Sequence, residues 1–231
     1  MRRISIIIPT YNEEKYLRLV LTHIIECSSN KNVKEIIIVD GGSTDNTVNI
    51  ASEFKNVTVI SSDKGRSKQL NAGAKIANGE ILYYSHADSF PPKHFDKMVI
   101  REIDKNFIGC FRLKFENPSH FLLRISQWAT RINYSLFRGG DQSLFIKKRD
   151  FNKLNGFNEN YIIYEDVEFI NRIYKHFNFI IIKDYVVTSE RRFIENGVFY
   201  LHFHFLMIHI KNFMGASPKQ LYKYYSKYIA S

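Results

Sequence analysis

The sequence predicts an α/β fold, with a mostly parallel central sheet flanked by helices and helices again at the C-terminus. Three observations carry this. Short apolar runs alternate with helical patterns through the first hundred or so residues, an order that builds right-handed crossovers and a parallel sheet. Acidic residues sit at the ends of apolar segments or open the next element: Asp40 after EIIIV, Asp88 closing LYYSHAD, and Glu165-Asp166 in YEDVEF. In open α/β sheets the carboxyl ends of the strands are where ligands bind. Finally, 45% of the 231 residues are hydrophobic, enough for a sizeable core and too many for disorder.

The elements follow in order. Ile4 to Ile8 reads as a buried strand, and Glu13 to Ser28 as a helix with Leu17, Leu21, Ile24 and Ile25 on one face. EIIIVD, ending at Asp40, is the second strand. Asp45 is the expected N-cap of a helix running through Ala51 and Phe54. Val57 to Ser61 is a third strand, Arg66 to Ala77 a helix and Glu80 to Ser85 a fourth strand. Pro91-Pro92 ends the extended chain and starts a helix at Lys93. Asn106 to Phe115 continues the sheet, His120 to Ile132 is an amphipathic helix, Ser143 to Lys148 a strand and Asp166 to Tyr174 a short helix. Asn178 to Ser189 is either a strand pair or one long strand broken near Lys183-Asp184.

Gly197 to Met214 (GVFYLHFHFLMIHIKNFM) is aromatic and apolar, yet holds His202, His204, His209 and Lys211. It is too short and too polar to span a bilayer. Two readings stay open: a helix packed on the core, or one lying in a membrane interface ahead of the basic tail SPKQLYKYYSKY.

The net charge is +10, from 33 Lys and Arg against 23 Asp and Glu, and it suits anionic partners. No continuous basic stripe favours nucleic acid. Cys27 and Cys110 lie in apolar surroundings without metal-ligand spacing and read as buried thiols. The N-terminal apolar run is too short for a signal peptide and ends in Pro9, so a reducing, cytoplasmic location is the expectation.

Several segments carry chemistry. In SIIIPTYNEE the strand ends at Pro9, and Thr10, Tyr11, Asn12 and Glu13 face the crevice, where a ring can stack on a base and polar groups can bond a ribose. In DGGSTDNT, Gly41 and Gly42 permit a tight turn and close approach, and Asp40 can accept a hydrogen bond from a base or ribose. Lys64 and Arg66 are cations beside a helix N-terminus, an anion site. Along that helix lie Gln69 and two poor helix formers, Asn71 and Gly73, which signal either a packing or contact demand or a loose surface helix. Asp88 of His86-Ala87-Asp88 is an oxygen ligand suited to Mg²⁺ or Mn²⁺, or a helix cap. Glu165 and Asp166 are adjacent and do not share a helix face. One can then reach a site while the other caps the helix or binds a cation. Both are alternatively simple N-terminal helix charges.

PTYNEE, VDGGSTD, GRSKQLNAGA, HAD, GDQ and ED, in this order and spacing, resemble the family 2 glycosyltransferases, in particular a small bacterial branch of radical-SAM/selenodomain-associated transferases. The resemblance runs from Ile4 to about Tyr225. It implies a single GT-A domain over residues 1–231, with a Rossmann-like sheet. Residues 1–105 form its nucleotide-sugar half, 106–192 its acceptor and catalytic half, and 193–231 a C-terminal helical segment, for which the membrane-interface reading stays open on its own composition. It implies inverting transfer from a nucleotide-diphosphate sugar, UDP or GDP, to a hydroxyl of a lipid-linked sugar, a small metabolite or a protein.

The resemblance also assigns residues. Pro9, Thr10, Tyr11, Glu13, Asp40, Gly41, Lys64, Arg66, Gln69, His86 and Ala87 match nucleotide-contact positions, and Asp88 the metal-binding aspartate of a DxD motif whose first aspartate is His86 here. Asp166 matches the catalytic base. Gly140, Asp141, Gln142 and Glu165 fall on the acceptor side. Arg191-Arg192-Phe193 loosely resembles a later Q-x-x-R-W motif lacking its Gln and Trp, and only a phosphate or acceptor contact by Arg192 is carried over. His202 and His204 are candidates to reach the metal from the late helix. A nucleotidyltransferase would need a glycine-rich basic loop after the first strand, which PTYNEE lacks. A non-catalytic binder at the nucleotide sugar or the membrane surface is the remaining rival.

Overall fold

The computed structural model describes residues 4–229. The first half runs β1 (Ile4–Thr10), α1 (Glu14–Cys27), β2 (Val33–Asp40), α2 (Thr47–Ser52), β3 (Val57–Ser61), α3 (Arg66–Ile76), β4 (Ile81–Tyr84), β5 (Ser89–Phe90) and α4 (Phe95–Asp104). The second runs β6 (Ile108–Phe115), α5 (Phe121–Ala129), β7 (Leu144–Lys147), α6 (Lys148–Lys153), α7 (Glu165–His176), β8 (Phe179–Thr188), α8 (Arg191–Asn196), α9 (Val198–Phe213) and α10 (Pro218–Tyr228).

One eight-stranded sheet crosses both halves in the order β3-β2-β1-β4-β7-β6-β8-β5. The β3-β2-β1-β4 portion is parallel throughout. Beyond it, β7 pairs antiparallel with β4 and β6, and β5 antiparallel with β8, while β6 and β8 are parallel. Parallel strands covered on both faces read as continuous apolar runs, and β1 shows why. Ile4, Ile6 and Ile8 point into a cluster with Leu17, Val20, Leu21 and Ile24 of α1 and Phe95, Val99 and Ile103 of α4. Ile7, on the other face, joins Leu70 and Ala74 of α3 and Phe169 and Ile173 of α7. The packing demand at Gly73 is explicit: a Cβ there would lie 2.5 Å from Ile7 Cγ2 and 3.0 Å from Val39 Cγ2, so α3 rides directly on the sheet.

The expectations are corrected in places. Ile25 is 37% exposed, and Val20 takes the buried position. α2 stops at Ser52, short of Phe54, and Asp45 is not its N-cap; it accepts from Thr47 N, Thr47 Oγ1 and Glu14 N and so ties α1 to the β2 turn. α4 begins at Phe95 rather than Lys93 because His94 adopts a left-handed φ of 62°. The strand expected from Asn106 begins at Ile108, since Asn106 has φ 65°. β8 is a single strand, and its pairing with β6 skips Lys183-Asp184 as a bulge. Cys27 is half-buried, and burial pushes both thiols up, away from thiolate chemistry.

Candidate active site

The parallel register brings the predicted segments to one edge. Thr10 lies beside Asp40, Asp40 beside Ser61, and the chain leaving β4 continues through Ser85 to Asp88. At this edge a cleft of about 330 Å³ opens. The end of β1 supplies Pro9, Thr10, Tyr11 and Glu13, and α3 supplies Arg66 and Gln69. The β4–β5 turn adds His86, Ala87 and Asp88, the turn before β7 adds Asp141, and the far wall is Thr188, Ser189, Arg191, Arg192, Phe193 and Phe205.

The β2 turn is built by its own carboxylate. Asp40 is buried; its Oδ2 accepts from Gly42 N and Ser43 N at 2.9 Å each, and its Oδ1 accepts from Ser43 Oγ at 2.5 Å. Gly42 has φ 90°, which this turn requires. Gln69 Nε2 donates to Thr10 O at 2.9 Å and Val39 O at 2.8 Å, stapling the ends of β1 and β2 from beneath. Its amide packs against Gly41, where a Cβ would come within 3.0 Å of Nε2. Lys64 Nζ sits 3.7 Å over the Tyr11 ring, at the outer rim.

Across the floor, Arg66 links the two halves. Its Nε is 3.4 Å from Glu165 Oε1, and Glu165 is 3% exposed. Burial pushes Glu165 up to about 7, against the pull of Arg66. Burial also works against the Arg66 charge, but the carboxylates of Glu165, Asp166, Asp141 and Asp88 outweigh it and raise its affinity for the proton. Asp166 Oδ2 accepts from Gly140 N at 2.6 Å and its Oδ1 from Val167 N at 2.7 Å. Neither acid caps α7; Tyr164, at φ 69°, occupies that position. Glu165 and Asp166 therefore both reach the cluster, and of the alternatives the sequence left open for the second acid, capping of α7 is not the one found.

His86 Nδ1 lies 3.1 Å from Asp141 Oδ1, while its Nε2 is buried without a partner. Burial and then the Arg66 charge hold the ring well below the imidazole range, so it is neutral near pH 7. The same Nδ1 lies 3.4 Å from Arg66 Nη2, which can only donate, so Arg66 and Asp141 ask opposite roles of it, while Nε2 sits beside Gly140. Asp88 is pushed up to about 6, by burial first and by the Asp141 charge second, with Arg191 opposing.

Among the described residues no three of His, Cys, Asp or Glu form a cation cage. The residues present still fit a hard divalent cation. Two carboxylates, Asp88 and Asp141, line the same cleft, and the Asp141 charge adds to burial in pushing Asp88 up. Mg²⁺ and similar ions are commonly held by one or two carboxylates with substrate phosphates completing the shell.

Other candidates fall elsewhere. Gln142 is buried, accepting from Arg138 and donating to Phe137 O at 2.7 Å, so it braces the Gly140 turn from behind rather than facing an acceptor. His202 bonds Ser126 Oγ at 2.8 Å and His204 bonds Tyr224 OH at 2.7 Å; both are engaged away from the cleft, and neither reaches Asp88. Arg192 lines the cleft and donates to Tyr225 OH at 2.5 Å. Its neighbour Arg191, given no role from the sequence, lies 3.6 Å from Glu13 Oε2 and 5.0 Å over the Tyr16 ring. The only sequence signal for it was a second cation following a strand end. Buried Arg138, which also donates to Thr130 O and Ile132 O, gave no signal at all.

An α/β sheet that gathers carboxylates and arginines into one cleft at its strand ends has its polar groups where folds of this class bind ligands. The chain belongs to glycosyl transferase family 2, whose profile matches residues 5–157. A dolichyl N-acetyl-α-D-glucosaminyl phosphate 3-β-D-2,3-diacetamido-2,3-dideoxy-β-D-glucuronosyltransferase of Methanococcus voltae is 34% identical over 125 residues, 51% of this chain and 37% of the relative. The poly(ribitol-phosphate) β-N-acetylglucosaminyltransferase TarS of Staphylococcus aureus is 29% identical over 122 residues, 50% of this chain and only 21% of the relative. This chain thus covers the smaller part of each relative's length. Among solved structures, TarS residues 1–349 with UDP align with a TM-score of 0.67 at 20% identity, over 81% of this chain and 60% of that one. The mannosyltransferase PcManGT of Pyrobaculum calidifontis with GDP-Man and Mn²⁺ aligns at 0.66 and 20% identity, over 100% and 65%. The fold is accordingly of the GT-A type.

Proposed function

We propose that the cleft binds a nucleotide-diphosphate sugar and that the protein transfers the sugar, with inversion, to an acceptor hydroxyl. Tyr11, Thr10 and the β2 turn around Asp40 and Gly41 are the nucleoside side, with Lys64 at its rim. Arg66 and Arg191 flank the middle of the cleft, where they would meet the diphosphate. Asp88, with Asp141, would hold Mg²⁺ or Mn²⁺, which when bound neutralises charge on the departing diphosphate. Asp166 accepts the proton of the attacking hydroxyl. One in-line displacement then inverts the anomeric centre.

The observation that carries this reading is the fixed Asp166 carboxylate. Two backbone N–H donors from different segments, Gly140 and Val167, orient it beside Arg66 and His86, next to the cleft. UDP and GDP are both open as donor nucleotides; the liganded structural neighbours hold UDP and GDP-Man. The acceptor is a hydroxyl on a lipid-linked sugar, a small metabolite or a protein. A cytoplasmic setting belongs to the same reading.

The test is a thermal-shift panel of UDP, GDP, CDP and TDP with and without Mn²⁺. Ligand at 100 times its Kd adds about 2.7 kcal/mol of stability, which for a chain of this size is roughly 5–10 °C in Tm. A metal-dependent shift with one nucleotide supports the reading. No shift with any of them overturns it.

A further inference from the structure

Helix α9 is apolar on both of its sides. Its inner face, with Leu201, His204 and Ile208 buried, packs on Leu221 and Ile229. Its outer face is a stripe of Phe199, Phe203, Leu206, Ile210 and Phe213, all exposed, Phe213 at 91%. These recur at helical spacing, so they line one side for about 21 Å. A helix apolar all round belongs in a core or in lipid, and among the described residues nothing covers the outer stripe.

Helix α5 repeats the pattern. Phe121, Ile125 and Trp128 are more than half exposed and share one face. The helices adjoin: the Phe121 and Phe199 rings are 6.0 Å apart, and Ser126 bonds His202. The two stripes therefore form one continuous surface.

Charge identifies what it meets. Residues 117–140 and 196–229 contain no Asp or Glu. Arg124 and Arg131 are exposed in or after α5, and Lys219, Lys223 and Lys227 are exposed at four-residue spacing on α10. A second copy of this chain would set these cations against themselves with no acid to pair, because a two-fold interface joins a patch to itself. The α10 lysines lie on the side of that helix opposite Leu221, away from α9, so the cation along the apolar surface is Arg124, on the α5 face of Phe121, Ile125 and Trp128. An acid-free apolar surface with an arginine, an exposed Trp and the half-exposed Tyr200 matches the lipid–water boundary.

We infer that the joint face of α5 and α9 docks in the interfacial layer of an anionic lipid bilayer, with Arg124 and Arg131, in and just after α5, on its headgroups. No helix among the described residues is long and apolar enough to cross a membrane, so this is surface contact. Phe205, on α9 itself, lines the cleft, so docking brings the cleft's α8–α9 wall toward the membrane. The docking stands apart from the transfer reaction and is measured without it.

The experiment is flotation of the purified chain with phosphatidylcholine vesicles, with and without phosphatidylglycerol. Wild type should float with the anionic vesicles, less in high salt and little with phosphatidylcholine alone. The double variant Phe203→Glu/Phe213→Glu should lose about tenfold or more of its partitioning, with unchanged Tm and unchanged nucleotide-induced shift. Leu19→Glu, equally exposed but on α1, should float like wild type. Three outcomes overturn the inference: no flotation of wild type, flotation that the double variant keeps, or a sedimenting dimer that the double variant splits.

Discussion

Gly140→Ala is the most discriminating single change at the cluster. Gly140 has no left-handed φ, so alanine fits its backbone; the consequence is steric alone. The added methyl would overlap an Arg66 guanidinium nitrogen and lie 2.8 Å from His86 Nε2 and 3.0 Å from Asp166 Oδ2. Arg66 is the end of a flexible side chain and would yield, leaving the nearly buried Glu165 without its cation. Removing one partner of a fully buried pair costs about 3–5 kcal/mol. Arg66 keeps 33% of its side chain exposed, so we expect roughly 1–3 kcal/mol, or about 2–10 °C in Tm. Misplacing a reacting group by an ångström costs on the order of 100-fold in rate, so kcat/KM should fall by about that factor. The assay is release of nucleoside diphosphate at saturating donor, with Tm measured in parallel. Gly139→Ala is the control: its methyl would meet only Asp166 Oδ2, at 4.0 Å, and should leave the rate within about threefold. Full activity in Gly140→Ala would refute the claim that Arg66, His86 and Asp166 work as one packed unit.

Three further outcomes are expected. Glu165 has a folded pKa near 7 against 4.5 when free; the folded state therefore binds the extra proton between these values, and stability falls as pH rises through that window, by on the order of 3 kcal/mol. Urea melts at pH 5 and pH 8 should show this loss in wild type and a much flatter dependence in Glu165→Gln; equal slopes would contradict the assignment. Gln69→Ala removes the donor to two main-chain carbonyls and should cost about 2–4 kcal/mol in urea unfolding, with a rate loss that Gln69→Glu does not rescue. Asp88→Asn should abolish the Mn²⁺-dependent part of the nucleotide thermal shift while leaving the metal-free part; retention of the metal effect would move the cation elsewhere.

The regular half of the fold was legible because its signals are local. Apolar runs such as EIIIV, helical spacing at Leu17, Leu21 and Ile24, and the break at Lys183-Asp184 all reflect interactions within one element or one ladder. Part of the cleft's membership was legible for a related reason: a residue at or just past the end of a parallel strand is delivered to the carboxyl edge whatever else happens, as with Thr10 and Asp88, whereas Asp40 reaches the edge but turns its carboxylate into its own turn. What could not be read is what each side chain does once there. Gln69 and Gln142 looked like ligand contacts; Gln69 instead staples the main chain at Val39 O, which is remote in sequence, and Gln142 is held by its near neighbours, the Arg138 guanidinium and Phe137 O. Asp45 looked like a cap because it precedes a helix, yet it also binds Glu14 N across a turn. His204 looked free for a metal and is held by Tyr224. For α9 the composition was plain, but which side it buries depends on α10, through Leu221 and Ile229.

The central claim is that Asp166 accepts a proton during sugar transfer. The direct test compares wild type with Asp166→Asn, reading donor affinity by calorimetry and turnover by diphosphate release in the presence of acceptor. The amide keeps the shape of the carboxylate but cannot accept the proton. Turnover should fall by about 10²–10⁴-fold while donor affinity stays within about threefold. Turnover near the wild-type rate in Asp166→Asn would contradict the account.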